Sequence, residues 1–204
     1  MMGEPAVIAQ NLSAAADRRE TISDDTLIKQ VAEGNKLAMR ALFARHQLRV
    51  HRFALRIVRD SALAEDVVSE VFIDAWQQAG RYEGRSTVST WLLGITRHKA
   101  LTAANRRTTE SIDSESAMNV VDPANTPEAE LGQKDTGTVI RRCLANLSPE
   151  HAEIIDLVYY QEKSIKEIVE ILDIPENTVK TRMFYARKRL AALVAAEGID
   201  RAAA

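Results

Sequence analysis

The chain has 204 residues, 46% of them hydrophobic, and a formal net charge of −2. That length allows one large domain or two small ones. Its acidic balance counts against a simple basic nucleic-acid binder, whose usual footprint is a high pI, and its one cysteine, Cys143, excludes an internal disulfide and a cysteine-rich metal site. We expect no cofactor and no metal, with Cys143 a small buried hydrophobe.

Residues 1–22 form an Ala-rich tail without the basic-then-apolar pattern of a secretory signal. No stretch approaches the ~20 apolar residues of a membrane span, so we expect a cytoplasmic protein without membrane insertion. The five prolines stand at positions 5, 123, 127, 149 and 175, which leaves 6–122 free to be helical. The sequence shows neither β-alternation nor a hairpin signal.

A first helix is predicted after Ser23, with Asp24 and Asp25 at its positive end and Gly34 as its stop. A second covers about 35–60, where Met39, Leu42, Phe43, Val50, Phe53 and Ile57 recur at three-and-four spacing. Ser61 is the predicted cap of a third helix ending at Gly80, with Val67, Val68, Val71, Phe72, Ala75 and Trp76 inward. Residues 81–86 form a loop turning at Gly84, and a fourth helix spans about 88–107 with Trp91 in the core.

Residues 108–126 lose periodicity and form a linker. The segment 108–135 holds seven acids and one base, Lys134. Thr126-Pro127-Glu128 and Ser148-Pro149-Glu150 are helix starts with proline at the first position. The predicted fold is therefore all-α, with a helical domain at 23–107, a flexible acidic linker, a second helical domain at 127–196, and a tail at 197–204.

The sharpest local signal lies at 164–190. Ser164 and Glu167 make a capping box, and Ile165, Ile168, Ile171 and Leu172 supply an apolar side. Asp173-Ile174-Pro175 is a turn with Ile174 as its plug, and a second helix starts near Glu176 with Val179, Met183, Ala186 and Leu190 inward. Its outer face carries Asn177, Thr178, Lys180, Thr181, Arg182, Phe184, Tyr185, Arg187 and Lys188. Spacing alone also fits a solvated basic helix in a bundle. The cap, the turn and a face that mixes hydrogen-bonding, basic and aromatic groups favour a helix-turn-helix in a major groove.

A second basic block runs through 95–107, with Arg97, Lys99, Arg106 and Arg107 and no acid. The two cationic surfaces flank the anionic connector. An ordinary helix-turn-helix transcription factor with a helical sensor domain fits these features. A catalytic bundle does not, because no paired-carboxylate, metal or nucleophile constellation is visible.

Several strings resemble a known family. Leu147-Ser148-Pro149-Glu150, Ile174-Pro175-Glu176-Asn177-Thr178-Val179-Lys180-Thr181-Arg182 and Ala186-Arg187-Lys188-Arg189-Leu190 resemble the C-terminal promoter-reading domain of extracytoplasmic-function (ECF) sigma factors, small members of the sigma-70 family. Ala64-Glu65-Asp66-Val67-Val68-Ser69-Glu70-Val71-Phe72 and Ala75-Trp76 resemble the family's polymerase-docking segment. Tyr82-Glu83-Gly84, Thr90-Trp91-Leu92, Ile95-Thr96-Arg97 and Asn105-Arg106-Arg107 resemble its −10 segment. Departures are Ser69 in place of the usual Gln, His98 in place of the common Asn, and Thr102 in place of an acid.

The resemblance implies a non-enzymatic specificity subunit for core RNA polymerase, touching its β′ and β subunits, with an anti-sigma factor as a regulatory partner. It implies polymerase contacts from Asp66, Ser69, Glu70 and Phe72. It further implies that Tyr82, Arg85, Ser86, Thr87, Arg97, His98, Lys99, Arg106 and Arg107 hold the −10 promoter DNA as single strand. The outer face of the last helix would then read the −35 element as duplex.

Overall fold

The computed structural model describes residues 22–113 and 136–197. Among these residues the chain is helical, with no strand. The tails, most of the linker and the Thr126-Pro127 helix start lie outside the described residues.

Helix α1, Asp24–Ala32, is capped by Ser23, whose side chain accepts from the Thr26 N–H. Gly34, at φ 85°, turns the chain into α2, Lys36–Val58, capped by Asn35. That positive φ suits a residue without Cβ. His46, buried in α2, bonds Asp24 at 2.6 Å and pins α1 to it. Helix α2 stops two residues before the predicted end, because Arg59 adopts the left-handed conformation. The cap of α3, Ser61–Gln78, is Asp60, one residue ahead of the predicted Ser61, and its carboxylate accepts from the Leu63 N–H. Carboxylate and hydroxyl caps serve the same role, so adjacent candidates are indistinguishable without geometry. A short 3-10 turn, Ala79–Arg81, follows.

Helix α4, Val88–Asp113, runs six residues beyond its predicted end at 107. Residues 108–113 contain no proline or glycine, and Thr109 donates its hydroxyl to the Asn105 carbonyl, a bond that keeps the turn helical. The loss of apolar periodicity there marks departure from the core and not the end of the helix.

The second bundle contains α5, Thr136–Ala145, and α6, Pro149–Ile155, which continues into an unpredicted π-helical turn, Asp156–Tyr160. Helix α7, Ile165–Leu172, carries the full capping box of Ser164 and Glu167. Asp173 adopts φ 52°, and Pro175 opens α8, Glu176–Ala196. Cys143 is buried, as are Val179 and Ala186, while Ile174, Met183 and Leu190 pack at the edge of the same core.

Two cores result. Helices α1 to α4 enclose Leu27, Ile28, Val50, Val67, Val71 and Leu92 among others. The second core gathers Leu157, Ile168, Ile171 and Val179, and it also takes Phe53 from α2 and Leu93 from α4. Those two side chains are 0% and 1% exposed, so the bundles are docked through shared apolar burial and not merely tethered.

Candidate nucleic-acid and polymerase interfaces

The helix-turn-helix leaves one face of α8 open to water. Asn177, Lys180, Thr181, Phe184, Tyr185, Arg187 and Lys188 are exposed, with Thr178 half-buried. Phe184 and Tyr185 meet edge to face at 5.3 Å, yet each is more than half exposed. Two adjacent aromatics left in solvent mark a contact surface better than a packing one. Lys180 pairs with Glu176 at 2.6 Å on the open surface. Arg182 differs from its neighbours: it is half-buried and reaches Glu150 of α6 at 3.4 Å.

The loop between α3 and α4 is ordered by Tyr82. Its hydroxyl donates to the Ser86 carbonyl, and its ring lies 5.4 Å from that of Trp91. Burial, helped by the nearby Asp25 carboxylate, pushes the phenol above its ordinary value, so it remains a donor. Tyr82 therefore acts as the strut of the loop. Arg85 is exposed and paired with Glu83, and Gly84 takes the left-handed turn at φ 70°.

The cations of α4 divide into two sets. Lys99 is drawn to Asp74 at 3.0 Å and Glu70 at 3.5 Å, and its hydrogen bond to Asp74 raises its pKa. Arg107 pairs with Asp60, and His98 is exposed. With Arg106 these residues line a groove between α3 and α4 that Asp66 and Glu70 also reach. One groove thus joins predicted strand-binding cations to predicted polymerase contacts. Arg97 points elsewhere, to Glu153 of the second bundle, at 2.8 Å.

Asp66 and Glu70 lie four apart on one exposed face of α3, with Ser69 beside them donating to the Glu65 carbonyl. Phe72 does not join them. It is 5% exposed and packs edge-on against Phe43 within the first core, because its register is that of Val68 and Ala75. Its expected place in the polymerase surface is corrected here: it supports the helix from beneath.

Sequence reasoning missed the seam between the bundles. The Thr90 hydroxyl donates to Glu167 at 2.6 Å, Lys163 reaches both Thr90 and Glu167, and Thr87 lies 3.4 Å from the same carboxylate. Arg56 pairs with the buried Asp156 at 2.8 Å and stacks over Tyr160. Burial raises the pKa of Glu153 and of Asp156, only partly opposed by Arg97 and Arg56. For Glu167 burial also raises, but hydrogen bonds from Thr90, Ser164 and Lys163 prevail and hold it at about 2. One sequence signal existed: Thr90, Leu93 and Arg97 form a stripe at three-and-four spacing separate from the inward face of α4.

Among the described residues no cluster of three or more His, Cys, Asp or Glu is placed to hold a metal, and no helix is long and apolar enough to cross a membrane.

Comparison with known proteins matches residues 42–110 to the family model Sigma-70 region 2 and residues 138–190 to Sigma-70, region 4. The ECF RNA polymerase sigma-E factor of Haemophilus influenzae is 32% identical over 180 residues, covering 84% of this chain and 95% of that protein. The ECF RNA polymerase sigma factor SigL of Mycobacterium tuberculosis is 29% identical over 175 residues, covering 85% and 98%. Among solved structures, the sigma factor RpoE bound to the anti-sigma factor NepR from Bartonella quintana aligns with a TM-score of 0.65 at 24% identity, covering 79% of this chain and 98% of that one. CnrH bound to the cytosolic domain of CnrY aligns at 0.63 and 22% identity, covering 85% and 97%.

Proposed function

The chain belongs to the ECF sigma factors of the sigma-70 family, and on that footing we propose how its surfaces divide the work of promoter-directed initiation. The exposed polar-aromatic face of α8 carries the reading. Asn177, Lys180, Thr181, Phe184 and Tyr185 face the −35 duplex, where amide, hydroxyl and ammonium groups meet base edges and an aromatic ring meets a thymine methyl. Arg187 and Lys188 add salt-dependent contacts to phosphates. Arg182, tied to Glu150, holds α8 on α6 and reaches DNA only by giving up that pair.

The first bundle holds the opened −10 strand. Extracting a base costs a few kcal/mol of stacking, which a preformed loop recovers. Tyr82 shapes that loop, Arg85, Ser86 and Thr87 line it, and Arg97, His98, Lys99, Arg106 and Arg107 follow the backbone along α4. Asp66, Ser69 and Glu70 present the surface for the β′ subunit of core RNA polymerase, with β a further contact of the bound factor.

In this role the protein supplies specificity and polymerase supplies the chemistry, which sets its place in the cytoplasm. The net charge of −2 is then no obstacle, since the holoenzyme supplies most of the DNA affinity. An anti-sigma factor is its regulatory partner; the two similar folds above were solved with partners bound, one of them named an anti-sigma factor.

Run-off transcription with purified core polymerase on a genomic library tests the reading. Promoter-dependent products are expected only when the chain is added. Absence of such products, together with failure to co-purify with core enzyme, overturns it.

A further inference from the structure

The two proposed DNA surfaces are not equally available. The α8 face is open, whereas the Thr87, Thr90 and Arg97 side of α4 is engaged by the second bundle. We propose that this docking is an intramolecular blockade of the −10 surface, in which Glu153 and Glu167 occupy the positions that backbone phosphates of the opened strand take on binding. The inference rests on the reading of α4 as the strand-binding face.

The chemistry supports a direct competition. A carboxylate offers a guanidinium two acceptor oxygens and a negative charge, as a phosphate does. The Arg97 Nε–H is committed to Glu153 at 2.8 Å, and the guanidinium is only a quarter exposed. The Thr90 hydroxyl is likewise committed to Glu167 at 2.6 Å, with Lys163 neutralising that carboxylate from the other side. Leu93, between Thr90 and Arg97 on the same stripe, is 1% exposed within the second core, so a strand lying on this stripe and the second bundle exclude one another. Burial disfavours an ionised Glu153, so the seam carries a carboxylate whose charge is held by Arg97. Opening therefore leaves a better-hydrated glutamate and a guanidinium ready for phosphate. The blockade is selective, because closure leaves the α8 face exposed. A partner that binds the open form must then favour strand binding by the same factor as the strand favours the partner.

The test uses the full chain and a fluorescein-labelled, random-sequence single-stranded DNA of about a dozen nucleotides, read by fluorescence anisotropy at low salt. Glu153→Gln/Glu167→Gln removes both charges, and glutamine at 167 preserves the capping box of α7. Glu33→Gln/Glu170→Gln removes the same charge from two exposed sites and measures the general electrostatic gain. The expected result is a tightening of about five-fold or more for the seam pair over that control, abolished when Arg97→Gln is added. Equal affinity of the seam pair and the control overturns the blockade. If Arg97→Gln still weakens binding in that case, α4 remains the strand surface and only the blockade fails. Binding that is indifferent to Arg97 in every background overturns the strand-surface reading and the blockade with it.

Discussion

Helices α8 and α4 carry comparable sets of basic and polar groups, yet they meet different surroundings. Around α8 the cations face water or an exposed acid of their own helix, as Lys180 does with Glu176. Around α4 each paired cation finds a carboxylate from another element: Asp74 and Glu70 from α3, Asp60 at its cap, Glu153 from the second bundle. Exposed pairs are worth little and yield readily to a stronger ligand, whereas half-buried ones are held by their surroundings. A helix that reads duplex enters its groove as a rigid face. A surface that captures an opened strand needs its groups only after melting, and neutralising them beforehand limits non-specific binding.

Breaking the seam has the largest expected effect. Phe53 belongs by sequence to the first bundle and by burial to the second core. Phe53→Ala should cost about 3–5 kcal/mol in denaturant unfolding, the usual range for emptying a buried aromatic site. Hydrogen exchange then separates its two allegiances: protection should fall in α6 and α7 as well as in α2. Unchanged exchange in α6 and α7 rules out docking through Phe53.

The open face of α8 is sharpened by substitutions of a second size. On a promoter recovered by run-off transcription, Thr181→Ala and Phe184→Ala should each weaken holoenzyme binding by about 1–3 kcal/mol at particular −35 base pairs. Lys188→Ala should weaken all sequences alike and reduce the salt slope by about one. A uniform loss from Phe184→Ala would mean that its ring contacts backbone and carries no sequence information.

What the sequence made legible is what local physics encodes. The capping box of Ser164 and Glu167, the turn at Asp173 to Pro175 and the four-three-four spacing of the inward α8 residues are all short-range, and each appears where expected. Helix ends were less legible, because Arg59 takes a left-handed conformation without being glycine, and because α4 outlasts its apolar stripe. The Asp156 turn was invisible, since a π-helical register has no residue signature of its own. The seam was least legible of all. Thr90 and Glu167 are 77 residues apart, and nothing in either neighbourhood specifies the other. Phe72 shows the converse case: its motif suggested a surface, while its spacing with Val68 and Ala75 already placed it inside.

A smaller effect concerns the loop ahead of α4. Tyr82→Phe removes the hydroxyl bonded to the Ser86 carbonyl and leaves the ring against Trp91, a loss of about 1 kcal/mol. The fold should persist and the −35 affinity should not move. Permanganate reactivity of −10 thymines in the holoenzyme complex should fall, because the loop no longer holds its shape. Wild-type reactivity in this variant would show that Ser86 and Thr87 need no strut.

The smallest effect is a dependence on pH, and it isolates one member of the seam. Glu167 sits at about 2 in the folded chain, against 4.5 for the free side chain. A carboxyl with a depressed folded value stabilises fully above its unfolded value and loses that contribution as pH falls through the folded one. The melting temperature of the wild type should therefore exceed that of Glu167→Gln by a constant margin above pH 4.5. The margin should shrink below that point and vanish near pH 2. Glu153 and Asp156, whose values burial raises, shift in the opposite sense, but both variants retain them and their contribution cancels in the difference. Glutamine keeps the cap on α7, so what disappears with acid is the charged bond to Thr90 and Lys163. A margin that stays constant down to pH 2 would place Glu167 outside the seam as a simple helix cap.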